Sequence, residues 1–397
     1  MDKETLSNYG WVVILVLILA VLLALATPFG TFVSDAVKTT TQGLFDVNQS
    51  ALNSTGLVNV EGQSFAATNN SSTPVSETTY YTVEEIEADE HLYAIGKTKK
   101  EYVVAKFNAD YSEVVITKNG DDSDGEMREF NSWTGGISPL SNYSSTLKHA
   151  IVKSGVNNIG GSLMGNGLFS CCTNLEQVEL PNTIKTIGDN AFHKTGIRNI
   201  IVPDSVTFIG ITVFSDCVNL SSIKLSNNID VLKYGLFMNC INLKEITIPS
   251  SINKIDASVF SGSGLETIVL PDSITSVDYG IFGDCNNLKS VVLSKNLTII
   301  SQGMFHDCIS LETIVIPSSV TTFDYYVFGN CINLKTIYLP KSITTLYSWG
   351  EDGIPQTFFD IGNNSIIYCE TQEVANLLEK DVHYNGTTQV IIDPSKF

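Results

Sequence analysis

A seven-residue phrase recurs along this chain at nearly constant spacing, and that recurrence limits the available folds more than any other property. Residues 311–317 read LETIVIP, and close variants begin at Leu175 (LEQVELP), Leu220 (LSSIKLS), Leu243 (LKEITIP), Leu265 (LETIVLP), Leu288 (LKSVVLS) and Leu334 (LKTIYLP), with a looser IRNIIVP at Ile197. Each is preceded by a phenylalanine: Phe169, Phe192, Phe214, Phe237, Phe260, Phe282, Phe305 and Phe328, in steps of 23, 22, 23, 23, 22, 23 and 23 residues. A period of that length is the signature of a solenoid, in which one supersecondary unit stacks on the next because none can bury its apolar face alone.

Written out, one coil is φ-x-x-φ-x-x-x-φ-F-x-x-C-x-x-L-x-x-φ-x-φ-P. In the coil ending at Pro317 the filled positions are Leu297, Ile300, Met304, Phe305, Cys308, Leu311, Ile314 and Ile316. The last two alternate as a strand does, so Ile314 and Ile316 point inward and Val315 outward. Pro317 ends the strand because it cannot donate to a central ladder. The expected architecture is a parallel sheet with turns or short helical segments on its outer side and a ladder of phenylalanines inside. In the coils at Phe192 (FHKTGI) and Phe260 (FSGSGL) the segment before the strand is one residue shorter, and Gly196 and Gly264 are expected to supply a tighter turn through positive φ.

Six of the eight cysteines, Cys172, Cys217, Cys240, Cys285, Cys308 and Cys331, hold one repeat position, three residues before the strand leucine. Stacked coils lie about 4.8 Å apart, but aligned side chains keep their Cβ atoms wider than the ~3.8 Å of a relaxed disulfide. These residues are therefore expected to be buried free thiols acting as small hydrophobes.

The repeat resembles the BspA-type leucine-rich repeat family of bacterial surface proteins, through the phrases DNAFHKTG, VFSDCVNLSSIKL, PDSITSVDYGIFGDCNNL and VFGNCINLKTIYLP. The resemblance covers roughly residues 102–346, and FNADYSEVVITKNG looks like the β cap that often precedes such repeats. It implies surface exposure and adhesion or ligand binding. No catalytic residue is implied, since the matching positions are structural.

Around the repeats the chain divides into six parts. Residues 1–9 form a short tail, expected to be cytoplasmic. Residues 10–32 begin with about twenty residues without a charge, long enough to span a hydrocarbon core as a helix. An uncleaved signal-anchor is the expectation, against cleavage at the A-x-A site of residues 24–26. Residues 33–79 extend this helix and pass into a Ser-, Thr- and Asn-rich stalk. Residues 80–155 read as a β cap with a hairpin plus a degenerate first repeat, residues 156–346 as the solenoid, and residues 347–397 as a C-terminal cap containing a strand, a short helix and a closing strand. GSLMG, at residues 161–165, reads as an insertion. Terminal caps are required because the end coils would otherwise expose their cores.

The positions that vary are those that face out. The residue after each strand leucine is Glu176, Arg198, Ser221, Lys244, Glu266, Lys289, Glu312 and Lys335, with signs alternating from Lys244 onward. Alternation avoids stacking like charges and helps to hold register. The outward strand position carries Glu179, Ile201, Lys224, Thr247, Val269, Val292, Val315 and Tyr338. Its last four members are apolar, enough for a patch at the scale where exposed apolar surface suggests a partner. The candidate ligand-binding residues are therefore Ile201, Lys224, Thr247, Val269, Val292, Val315 and Tyr338.

Several functions are disfavoured. A net charge of −19 with no basic stripe argues against nucleic acid. Asp121, Asp122, Asp124 and Glu126 fail the EF-hand spacing because Gly120 stands where the first ligand belongs. The five histidines are scattered singly, and no phosphate loop, nucleophile elbow or H-E-x-x-H is present. No enzyme activity, cofactor or metal is expected. What remains is a single-pass membrane protein with its repeat domain outside the cell, binding a protein or cell-surface ligand as an adhesin does. The alternative is a structural component of the envelope or of a pilus-like assembly with the repeats as a displayed spacer, since about forty residues of the N-terminal region have the outline of a small Flp-type pilin without its glutamate-tyrosine pair.

Overall fold

The computed structural model describes residues 80–129, 138–162, 167–347, 357–358, 360–379 and 387–397. The expected anchor and stalk, most of residues 161–165 and the residues between 348 and 356 lie outside the described residues. Among the described residues no helix is long and apolar enough to cross a membrane.

The described chain begins with a short helix, α1 (Val83–Ala88), closed by a reciprocal cap in which Glu85 N–H donates to the Thr82 hydroxyl and Thr82 N–H donates to the Glu85 carboxylate. Strands β1 (Leu92–Ala94), β2 (Val103–Phe107) and β3 (Glu113–Lys118) form an antiparallel meander. β4 (His149–Val152) then joins β3 in parallel, and Gln177–Glu179 joins β4 in the same sense. The cap thus converts an antiparallel edge into the parallel ladder on which the coils stack.

From there all but one of the coils contribute a short strand, and neighbouring strands pair in parallel register: Asn199–Ile201 with Ser222–Lys224, Thr267–Val269 with Ser290–Val292, and Thr313–Val315 with Thr336–Leu339. Inside, the phenylalanine rings stack face to face. Successive centroids from Phe169 to Phe328 lie 5.3, 5.5, 5.7, 5.7, 5.7, 5.7 and 5.6 Å apart, within the range of favourable aromatic pairs. All eight are fully buried.

Of the turns or short helical segments expected on the outer side, the structure forms the turns. Among the described residues of 156–346 there is no helix; the outer side carries two-residue strands, such as Lys254–Ile255 between Val231–Leu232 and Ser276–Val277, paired in parallel. The cause lies in where the backbone hydrogen bonds go. Phe192 N–H donates to Val213 O, Phe214 N–H to Leu236 O and Phe237 N–H to Val259 O, so the next coil, not the same turn, satisfies them.

Gly196 and Gly264 are corrected, because neither has positive φ. A Cβ on Gly196 would sit 2.2 Å from Thr173 O, and one on Gly264 2.0 Å from Ile241 O. Glycine is there because the preceding coil passes too close for any side chain. The left-handed residues of the coils stand two positions before phenylalanine, at Asn190, Thr212, Gly235, Ser258, Gly280, Gly303 and Tyr326, and two positions after it, at Cys171, Lys194, Asp216, Asn239, Gly262, Asp284, Asp307 and Asn330. Mostly Asp, Asn and Gly, they are the residues that accept this conformation at least cost.

All eight cysteines are free thiols, seven of them buried. The repeat thiols do more than fill space: Cys217 Sγ donates to Phe192 O at 3.0 Å, Cys240 to Phe214 O at 3.1 Å, Cys285 to Phe260 O at 3.0 Å, Cys308 to Phe282 O at 3.1 Å and Cys331 to Phe305 O at 3.0 Å. In the two shorter coils a hydroxyl takes the cysteine's place and touches the next thiol, Thr195 with Cys217 at 3.2 Å and Ser263 with Cys285 at 3.4 Å.

Past Leu346 the repeat returns after a longer step. Phe358 stacks on Phe328 at 5.6 Å, Ile366–Cys369 pairs in parallel with Thr336–Leu339, and Gln389–Ile392 pairs with Ile366–Cys369. Helix α2 (Gln372–Leu378) lies between these last two strands in sequence and buries Val374, Ala375 and Leu378.

Candidate binding surface

Register fixes which side chains share a row on the outer face of the sheet. Ile201 stands opposite Lys224, Val269 opposite Val292, and Val315 opposite Tyr338. Ile201, Val269 and Val292 are 67%, 55% and 47% exposed. Lys224 and Thr247 are exposed as well, while Val315 and Tyr338 are half-buried. Thr247 lies in a coil where residues 241–249 form no regular strand. All seven candidates therefore reach the outer face, but they do not make one uniform strip. Lys224 and Thr247 separate Ile201 from the apolar run that begins at Val269.

That run extends beyond the sequence-derived candidates. Tyr338 pairs with Tyr368, and Tyr368 with Ile391. The two tyrosine rings stack at 5.2 Å and 11°, and Phe397 meets Tyr338 edge-on at 6.3 Å. Burial against Tyr368 pushes the Tyr338 hydroxyl above its usual range. The apolar row is then Val269, Val292, Val315, Tyr338, Tyr368 and Ile391, about 24 Å long at a strand spacing of about 4.8 Å. IIYCE matches TIYLP closely enough to have revealed Tyr368, had the step not lengthened to 30 residues.

One side of the row is bordered by charge. Lys244 Nζ lies 3.6 Å from Glu266, Lys289 Nζ 2.8 Å from the same carboxylate, and Lys335 Nζ 3.0 Å from Glu312. Arg198 and Glu176 approach to 3.7 Å. Lys289, then Lys244, holds the Glu266 carboxyl below its usual range. All are exposed, so each pair contributes only a few tenths of a kcal/mol. Between this border and the apolar row lie the hydroxyls of Thr267, Ser290, Thr313 and Thr336, two residues before the row. Among the described residues no cluster of three His, Cys, Asp or Glu side chains is placed to hold a metal ion.

A stack of short coils with in-register parallel strands, an internal aromatic ladder and a variable outer face defines a leucine-rich repeat solenoid. Residues 162–288 and 253–350 match the BspA type leucine rich repeat region in six copies, and the repeat region of this chain belongs to that family. Among solved structures, a leucine rich cell surface protein of Faecalibacterium prausnitzii A2-165 is 19% identical, with 78% of this chain and 99% of that one covered and a TM-score of 0.40. A leucine-rich repeat protein of Bacteroides ovatus ATCC 8483 is 17% identical over 74% of this chain and 98% of its own, with a TM-score of 0.29. The T. pallidum leucine rich repeat protein is 21% identical over 54% and 90%, with a TM-score of 0.33. No curated protein matches the chain.

Proposed function

We propose that this protein is a cell-surface binding protein of the adhesin kind, without catalytic activity, held by residues 10–32 as a single membrane anchor and presenting its repeat domain outside the cell. The apolar row from Val269 to Ile391 carries this reading: exposed valines at 269 and 292 followed by half-buried Val315, Tyr338, Tyr368 and Ile391, bordered by hydroxyls and paired charges, have the composition of a protein-docking face. Family membership and the uncharged stretch after Tyr9 support the outward placement.

The test is adherence of cells displaying the full chain to immobilised host-matrix proteins and to intact epithelial cells. Val292→Lys combined with Val315→Lys places two charges in the middle of the row without touching the core. Adherence should fall at least tenfold while the circular dichroism spectrum and melting temperature stay near wild type; undiminished adherence of the double variant would rule the strip out. Carbonate extraction with protease shaving tests the anchor: a chain released by carbonate, or a repeat domain protected from protease on intact cells, contradicts it.

A further inference from the structure

The side of the coils that carries the phenylalanine turns holds an open groove of about 380 Å³ across four successive coils, marked by Ser258, Tyr279, Gln302 and Tyr326. That volume is within the range of small-ligand clefts. Part of its floor is glycine for backbone reasons, since Gly280 and Gly303 have φ of +62° and +57°. Gly283 is different. Its φ is not positive, and an added Cβ would meet nothing nearer than 3.4 Å. The same place in other coils, directly after phenylalanine, holds Ser170, His193, Ser215, Met238, Ser261 and His306, and glycine again only at Gly329, where an added Cβ would lie 2.8 Å from the His306 ring. The fold thus permits a side chain at residue 283, and its omission opens the groove.

We infer that this groove is a binding site for a neutral glycan, distinct from the sheet face. Tyr279, 54% exposed, and Tyr326 stand two coils apart, about 10 Å at a strand spacing of about 4.8 Å, so two aromatic rings line a channel wide enough for consecutive sugar rings. Ring faces of this kind take the C–H face of a sugar, and the groups between them take its hydroxyls. The Tyr325 hydroxyl donates to Gln302 Oε1 at 2.7 Å, which fixes the amide and turns its N–H groups to other partners. His306 is held by Asp307 through Nδ1 at 2.6 Å, and Asp284 supplies a carboxylate acceptor at the rim. Among the described residues no lysine or arginine lines the groove. An anionic ligand would meet Asp284 unopposed, on a chain whose net charge is −19. A lysine side chain would satisfy the carboxylate and a tyrosine face but would leave the amide and serine hydroxyls of a four-coil groove unused, and a chain of sugar rings uses them all.

The full chain is run by affinity electrophoresis in native gels containing hydroxyethyl cellulose, galactomannan or soluble starch, and in parallel with polygalacturonate and with polylysine. Retardation is expected in at least one neutral polysaccharide. Gly283→Met, which installs the side chain Met238 already places at this position, and Tyr279→Ala should each weaken it at least tenfold, while Val292→Lys on the sheet face leaves it unchanged. A melting temperature near wild type verifies that Gly283→Met folds; should it not, the exposed Tyr279→Ala decides alone. Absence of retardation in all three neutral polysaccharides, retardation insensitive to both groove variants, or retention only by polygalacturonate or polylysine would overturn the inference.

Discussion

The thiol ladder makes the repeat domain alkali-sensitive, by an amount the structure allows to be worked out. Burial pushes Cys172 and Cys285 up to about 12 and Cys217 to about 11 from a reference near 9.0, and it raises Cys240, Cys308 and Cys331 as well. A thiolate would also lose the bond its proton makes to the preceding coil's carbonyl oxygen and face that oxygen as a like partial charge. The folded pKa is raised, so the folded state holds its protons longer than the unfolded chain does; the stabilisation is complete below pH 9 and is lost as pH rises toward 11–12. At pH 10 the unfolded chain gains about 1.4 kcal/mol per thiol from ionisation that the folded chain cannot have. Six repeat thiols together give about 8 kcal/mol, on the scale of the whole stability of an ordinary domain. Urea unfolding followed by circular dichroism at pH 8, 9 and 10 should show this loss, and Cys308→Ser should reduce the pH 8-to-10 difference by about 1.4 kcal/mol whatever its effect at neutral pH. Stability that stays level from pH 8 to 10, an unchanged difference in the serine variant, or thiolate absorbance from more than one of the eight cysteines near pH 9 in the folded protein would refute the reasoning.

Two further outcomes follow from the stacking. Phe237, buried between rings 5.7 Å away on both sides, should cost about 3–5 kcal/mol when replaced by alanine; because each coil touches only its neighbours, hydrogen exchange should accelerate around residues 214–260 and remain slow in β2, and uniform acceleration would contradict this. Gly264→Ala places a Cβ 2.0 Å from Ile241 O and should lower stability by about 1–3 kcal/mol, whereas Gly283→Ala should stay within about 0.5 kcal/mol of wild type; equal effects in thermal melts would show that the close approach at Gly264 is not what selects glycine.

The parts of this fold that were legible in the sequence are those where one coil must match the next. Phenylalanine, cysteine and the strand leucine recur because each meets its own copy in the neighbouring coil, and the alternating Lys244, Glu266, Lys289, Glu312 and Lys335 could be read as a ladder for the same reason. Periodicity alone does not say how a residue is used. Asp216, Asn239, Asp284, Asp307 and Asn330 look like ordinary polar turn residues until their left-handed φ shows why they stand two places after phenylalanine. Thr195 and Ser263 look like departures from the cysteine pattern, yet they keep contact with the next thiol. Phe358 and Tyr368 were hidden by the lengthened step, which places them outside the 22- or 23-residue spacing while the strands still align.

The candidate surface was half legible for a related reason. In-register stacking turns any outward residue shared by consecutive coils into a continuous stripe, so the valines at 269, 292 and 315 could be foreseen as one row. What a stripe ends against depends on the caps, where the period lapses. At one end the row runs into Thr247 and Lys224, which break it with polar groups; at the other it runs into stacked Tyr338 and Tyr368, then Ile391, with Phe397 packed edge-on. The sheet face is therefore graded along its length, polar toward the N-terminal coils and apolar toward the C-terminal ones. A partner held by apolar contact has most to gain over the coils from Val269 onward, and substitutions at Lys224 or Thr247 should alter how a partner is steered more than how tightly it is held.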